Sequence, residues 1–183
     1  MSLLSYMQLC ELVEQGVIDA PMSSVNGTSI DVTLHHLVRR EVMGPQLLSI
    51  KIGLGESIIT DEFNMNTEGN GCYVMMPDSV LLASTIEYFN MPLWLSAEFS
   101  LKSSLGRNFL GHELAGWIDP GFEGRVTLEL KNNNQFHKLS LLAGMPIGQV
   151  KFFNHELVPL AFSYRTKGRY NGQDKATASL GVK

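Results

Sequence analysis

Cysteine is almost missing from this chain of 183 residues: Cys10 and Cys72 are the only two, and no CxxC pair occurs. Two distant thiols make neither a disulfide scaffold nor a thiolate metal cage, so both read as reduced packing residues. The HxE…PCxxC arrangement with which zinc deaminases activate water on a nucleobase is absent as well, so no zinc is expected. His35, His36, His112, His137 and His155 do not have metal-ligand spacing and read mostly as surface residues. Long apolar runs are lacking too. A run such as Val80-Leu81-Leu82-Ala83 is far short of the roughly 18 residues of a membrane span, which excludes a membrane partner. No basic stretch followed by an apolar block and a small-residue cleavage site opens the chain, so a cytoplasmic location is the default. Cations are few: 14 Lys and Arg against 18 Asp and Glu give a formal charge of −4. A nucleic-acid polymer needs clustered Lys and Arg to displace counterions, so it is excluded as a partner. A small anion could still bind wherever a few cations converge.

What is present fits one soluble globular domain, 1–183, with 44% hydrophobic and 17% charged residues. Residues 2–15 carry a helical pattern in which Leu4, Met7 and Cys10 fall three apart, Ser5 can cap the start and Gly16 can end it. From 29 onward the pattern changes to short alternating runs at 29–34, 47–52, 71–76, 80–86, 94–101, 125–130, 138–142 and 147–153, punctuated by Gly, Pro and Asn. That spacing predicts a mainly β, mostly antiparallel barrel or jelly roll with a short N-terminal helix. Residues 56–71, rich in Asn and Gly, read as an exposed excursion. The segment 167–183 has almost no large apolar residues and cannot pack a core alone, so it is either frayed or ordered by a ligand.

The most informative stretch joins a tight turn, Ile118-Asp119-Pro120-Gly121, to the alternating strand 125–130. Val126, Leu128 and Leu130 share one face of that strand, and Arg125, Thr127 and Glu129 share the other. Glu129 therefore points away from the core that Leu128 and Leu130 enter. In isolation it would be a solvated glutamate on a wet face. The other polar candidates also have plain roles. Ser103 and Ser104 can cap a short helical turn with Arg107 one turn on, Asp119 can cap its own turn, and Gln149 can be an edge-strand polar residue.

Several ordered pieces change that weighing: Ser103-Ser104-Leu105-Gly106-Arg107, the stretch from Ala115 to Gly124, the strand with Glu129, Gly144 to Gln149, and Tyr170-Asn171-Gly172-Gln173 followed by Ala176-Thr177-Ala178-Ser179. A weaker echo is Asn26-Gly27-Thr28-Ser29-Ile30-Asp31-Val32. In collinear order over 25–179, they resemble the dCTP deaminase family of the trimeric dUTPase-like superfamily, and several ordered motifs are more specific than any one alone. The resemblance implies a dUTPase-like distorted jelly roll, a homotrimer with each active site lined by neighbouring subunits, and a C-terminal tail, 167–183, that closes over the nucleotide.

It also implies metal-independent hydrolysis of dCTP at C4 to dUTP and ammonia, with Glu129 as general base and acid. Ser103 and Arg107 would place the attacking water and the cytosine ring, and the Ala115 carbonyl would help hold that water. Ser104 would meet phosphate, Lys102 stands where a basic residue is common, and Asp119 would lie beside the deoxyribose. Trp117, Val126 and Thr127 belong to the implied substrate site. Gln149, Tyr164, Arg169, Tyr170 and Gln173 would contact the phosphates, with Arg169 where many relatives have lysine. Mg²⁺ would enter bound to the triphosphate, and dTTP is a candidate inhibitor alongside dCTP and dUTP as ligands. Three alternatives stand beside this reading. Trp117 before Ile118-Asp119 resembles bifunctional members that carry dCTP on to dUMP. The loop between Arg107 and Ala115 is shortened and has Leu114 in place of a threonine, which suggests a deaminase of C5-modified dCTP such as 5-methyl-dCTP. A nucleotide-binding trimer without catalysis would need none of Ser103, Arg107, Asp119 and Glu129.

Overall fold

The structure is a computed structural model that describes residues 2–42, 49–51, 56–113 and 116–181. A two-residue strand β1 (Ser2–Leu3) leads into helix α1 (Tyr6–Glu14). Ser5 sits at the helix N-cap with its backbone N–H and its hydroxyl both donating to the Gln8 side-chain carbonyl, 3.0 Å each. The helix is shorter than the 2–15 expected, and its buried face is different. Leu9 and Leu12 face the core, whereas Met7 is 67% exposed and Leu4, though buried, precedes the cap. The three-residue spacing of Leu4, Met7 and Cys10 competes with the stripe of Leu9, Leu12 and Val13, which follows the helical repeat more closely.

The strands that follow are β2 (Ile30–Thr33), β3 (Leu37–Glu41) and β4 (Thr60–Asn64), a single-turn helix α2 (Met65–Glu68), then β5 (Cys72–Met75), β6 (Val80–Asn90) and β7 (Leu95–Leu101). A second single turn, α3 (Ser103–Gly106), precedes β8 (Leu110–His112), β9 (Trp117–Ile118), β10 (Glu123–Asn132), β11 (Leu139–Leu142), β12 (Pro146–Asn154) and a last turn, α4 (Tyr164–Lys167). One sheet runs β4-β3-β6-β10-β8; in the other, β12 pairs with β1 and β2 on one edge and with β7 on the other, and β9 lies outside β7. β5 and β11 form a separate ribbon. All these pairings are antiparallel. The expected mainly β, jelly-roll-like architecture is therefore present, with its core between the two large sheets, where Phe89 of β6 stacks on Phe152 of β12.

β4 and α2 replace part of the region read as an exposed excursion, and β4 pairs with β3. Their register is marked by Arg40, whose guanidinium makes paired bonds of 3.0 and 3.1 Å to Asp61, and by Met65, which is fully buried at the end of β4. Strands spelled Leu-Val-Arg-Arg-Glu and Thr-Asp-Glu-Phe-Asn carry too few apolar residues for alternation to show. Half of the strand expected at 47–52 falls outside the described residues, and 49–51 form none. Two histidines also depart from the surface reading: His35 is 9% exposed, and the His112 side chain is 7% exposed. Burial, then the neighbouring His36 and Arg125, pushes the His35 imidazole down to about 4.

β10 is the strand that positions the site. Arg125 pairs with Tyr88 and Thr127 with Ser84, so Thr85, Ile86 and Glu87 of β6 all lie opposite Val126. The surplus of two residues keeps the inward and outward phase of β6 unchanged. Glu87 thus turns inward, accepting 2.9 and 2.8 Å bonds from the Thr33 N–H and hydroxyl, while the Thr85 hydroxyl accepts the Val126 N–H at 3.1 Å. At the far end, Asn132 is fully buried. Its amide donates to the carbonyls of Met75, Met76 and His137, and its carbonyl accepts from the Asn134 N–H and side chain. Replacing Asn132 with Ala removes one donor from each of those carbonyls, of which that of Met76 keeps the Ser79 N–H and hydroxyl, and is expected to cost about 2 kcal/mol. Urea unfolding with an unchanged m-value is the check.

Candidate active site

On β10, Val126, Leu128 and Leu130 are buried, and Thr127 and Glu129 face out beside them. Two segments wall in that outer face. The first is the turn Asp119-Pro120-Gly121-Phe122, closed by the Phe122 N–H donating to the Asp119 carbonyl at 3.1 Å. Gly121 has φ +82°, so proline and glycine take the two central places of a type II turn, where only the second needs a left-handed backbone. The turn drives Phe122 inward against the edge of Tyr164, with ring centroids 5.6 Å apart.

The second wall is the C-terminal segment, which lies along the start of β10. The Gly172 N–H donates to the Glu123 carbonyl at 2.7 Å, and the Arg125 N–H donates to the Gln173 carbonyl at 2.9 Å. The Gln173 amide reaches the Arg125 carbonyl and the Thr127 hydroxyl at 2.6 and 3.2 Å. Such close approach requires Gly124, where an added Cβ would stand 3.0 Å from the Gln173 carbonyl oxygen and φ is +138°. Further along, Ala176 is buried. Arg169 donates to the carbonyls of Leu180 and Gly181, and the Tyr170 hydroxyl accepts the Leu180 N–H. The backbone ladder to β10, which composition does not reveal, orders this segment against its own chain.

Together they enclose a cavity of about 400 Å³. Of the residues expected at the site, Trp117, Asp119, Val126, Thr127 and Glu129 line it from the sheet side. Tyr164, Tyr170 and Gln173 line it from the C-terminal side. A neighbouring cavity of about 590 Å³ shares Asp119, Tyr164 and Tyr170 and adds Lys167 and Arg169. Asp119 thus stands between a largely apolar chamber containing Glu129 and a chamber bearing two cations.

Burial pushes the Glu129 carboxyl above its ordinary range, and the nearby Glu113 adds to the effect. One of its oxygens, Oε2, is buried with no hydrogen-bond partner among the described residues. It lies 3.5 Å from Nε2 of His112, which is likewise buried and unpartnered. Burial holds that imidazole below its ordinary range, so it is neutral near pH 7 and the contact is not an ion pair. A carboxyl held above its usual range can both take and return a proton near neutrality.

The remaining expected residues do not line this cavity. Ser103, Ser104 and Arg107 are exposed on and just after α3. Lys102 is ion-paired to Asp31 of β2. Gln149 of β12 accepts a 3.2 Å bond from the Ser29 hydroxyl. Ala115, and Leu114 where the shortened loop departs from the family pattern, lie outside the described residues. Lys102, Ser103, Ser104, Arg107 and Gln149 lie around β2, the start of β12 and α3, on a different part of the chain from Glu129. The lining residues that the sequence did not single out are mostly apolar: Ile58, Leu82, Ile118 and Phe122. Ile58 and Leu82 carried no signal, being ordinary apolar residues of a loop and a strand. Among the described residues no group of three or more His, Cys, Asp or Glu could hold a metal ion, and no helix is long and apolar enough to cross a membrane.

The family model for dCTP deaminase-like proteins matches residues 3–155. A dCTP deaminase, dUMP-forming, from Methanosphaerula palustris is 36% identical over 127 residues, 68% of this chain and 65% of that protein. One of the same description from Nanoarchaeum equitans is 32% identical over 97% of this chain and 96% of its own length. Among solved structures, 2′-deoxycytidine 5′-triphosphate deaminase from Agrobacterium tumefaciens superposes with a TM-score of 0.62 at 18% identity, over 82% of this chain. The chain spans just under two thirds of the M. palustris relative, at 65%, and about half of the A. tumefaciens chain, at 48%.

Proposed function

Because this chain belongs to the dCTP deaminase-like family, we propose that it hydrolyses the C4 amine of dCTP and carries the product on to dUMP. The observation that supports deamination most directly is Glu129, a carboxyl raised by burial at the wall of a cavity of about 400 Å³. Glu129 takes a proton from water as the oxygen attacks C4 and delivers it to N3. It then takes the remaining proton of the new hydroxyl and passes it to the departing amine, so that dCTP and water give dUTP and ammonia. No net proton stays on the carboxylate, which is why one residue suffices.

Two observations favour dUMP as the end product over dUTP. The relatives are named dUMP-forming, and Asp119 lines both the Glu129 cavity and the cavity with Lys167 and Arg169. A second water, activated by Asp119, would attack the α-phosphorus and release pyrophosphate. Mg²⁺ enters on the triphosphate and offsets its charge there. Ser103, Ser104 and Arg107 act from a neighbouring subunit of a homotrimer, since they do not line the Glu129 cavity of their own chain. The tail that carries Tyr170 and Gln173 closes over the nucleotide.

Incubation with dCTP and Mg²⁺, followed by measurement of ammonia and separation of nucleotides, is expected to give ammonia, dUMP and pyrophosphate in equal amounts. Accumulating dUTP without pyrophosphate would remove the second half of the reading. Absence of ammonia would remove the first.

A further inference from the structure

β8 ends at His112, which pairs with Leu130 beside Glu129. The imidazole is wedged against Phe99 of β7, with ring centroids 4.8 Å apart, and its Nε2 faces Oε2 of Glu129 at 3.5 Å. Neither atom has another hydrogen-bond partner among the described residues, and both are out of contact with water. Two complementary polar atoms that face each other 3.5 Å apart in a buried place are a small shift away from a hydrogen bond. Such bonds commonly tighten when substrate closes a site. Resting on the reading of Glu129 as proton carrier, we propose that His112 is a positioning residue for that reaction: its Nε2–H donates to Oε2 of Glu129 and leaves Oε1 as the oxygen that meets water and N3.

His112 gains and loses no proton in this role. It must stay neutral with the hydrogen on Nε2, which its burial favours. Glu113, adjacent in sequence, is the charged group that acts on both His112 and Glu129. The flanking contributions of β7 and β6 are the ring of Phe99 and the apolar Leu82, which pairs with Glu129. Among the described residues, the surroundings therefore supply no second donor for Oε2.

Phe fills the volume of His112 without a donor, whereas the amide of Gln reaches close to the place of Nε2. His112→Phe is expected to lower kcat for ammonia release by about 10- to 100-fold, the scale of a slightly misplaced reacting group, with KM changing less than about threefold. Loss of a donor to the ionised form raises the Glu129 pKa, so the acid limb of the kcat profile moves to higher pH. His112→Gln restores most of the rate and moves the limb back. A wild-type kcat in His112→Phe, or a loss with an unmoved limb that Gln does not repair, overturns the proposal. The pair is also read without turnover, by NMR titration of the His112 ring nitrogens. Replacing Glu129 with Gln removes a nearby negative charge and should lower the His112 midpoint. An unchanged midpoint overturns the contact even in an enzyme that deaminates nothing, whereas a wild type that releases no ammonia but shows that shift retires the activity alone.

Discussion

Glu129→Gln is expected to reduce ammonia release from dCTP by about 10³-fold, within the range that a single acid–base group supplies. The amide keeps the size and shape of the side chain but neither accepts a proton from water nor delivers one to N3. Three steps therefore fail together: water activation, ring protonation and amine departure. The fold is expected to survive because Glu129 points away from the core that Leu128 and Leu130 build, both fully buried. The pH dependence has a definite sign. Burial raises the folded-state pKa of Glu129, so its contribution to stability is fully present below the unfolded pKa and is lost as pH rises through the folded one. The neutral amide removes that loss, so the variant should unfold no more easily than the wild type at pH 7. An ammonia assay and thermal unfolding across a range of pH check these statements. Full activity in a folded variant would leave the carboxylate without a role.

That experiment probes the part of the molecule most legible in the sequence. Strict alternation from Arg125 to Leu130 dictates which side chains enter the core, and Pro120-Gly121 dictates the turn that walls the cavity. Both are local effects, set by residues a few positions apart. The strands at 60–64 and 37–41 were hidden because they carry charged residues such as Arg40 and Asp61, paired across the strands, in place of apolar alternation. His112 was hidden for a related reason. A single histidine in a short edge strand has no periodic pattern, and only the pairing of β8 with β10 places it beside Glu129. The course of the tail depends on a backbone ladder between Gln173 and Gly124, and composition carries no record of such hydrogen bonds. Ser103, Ser104 and Arg107 show the opposite case: their motif is plain in the sequence, yet one chain alone does not bring them to the cavity.

The division of the expected site into two groups on one chain leads to the last prediction, which concerns mixed assemblies. If Arg107 of one subunit serves the Glu129 cavity of the next around a closed ring, two defects on different chains can complement each other. Arg107→Ala alone is expected to lose about 10²- to 10³-fold in kcat, as when a group that stabilises or orients the reacting centre is removed. Glu129→Gln alone is already inactive by the argument above. Co-expressed in equal amounts, the two variants produce some cavities that combine an intact Glu129 from the Arg107→Ala chain with an intact Arg107 from its neighbour. Random assembly makes each half intact with a chance of one in two, so about a quarter of wild-type activity should return. A site contained in one chain gives a different result, because every chain in the mixture then carries one broken half and activity stays at the level of the variants alone. The double variant mixed with wild type is the control, since it contributes no intact half of either kind. Purification through a tag on each variant isolates the mixed species, in which one site of three is intact, so ammonia release per assembly is expected to rise there to about a third of the wild-type value. Recovery of activity would place Ser103 and Arg107 across a subunit boundary from Glu129, and failure to recover it would require a way for α3 to reach the cavity of its own chain.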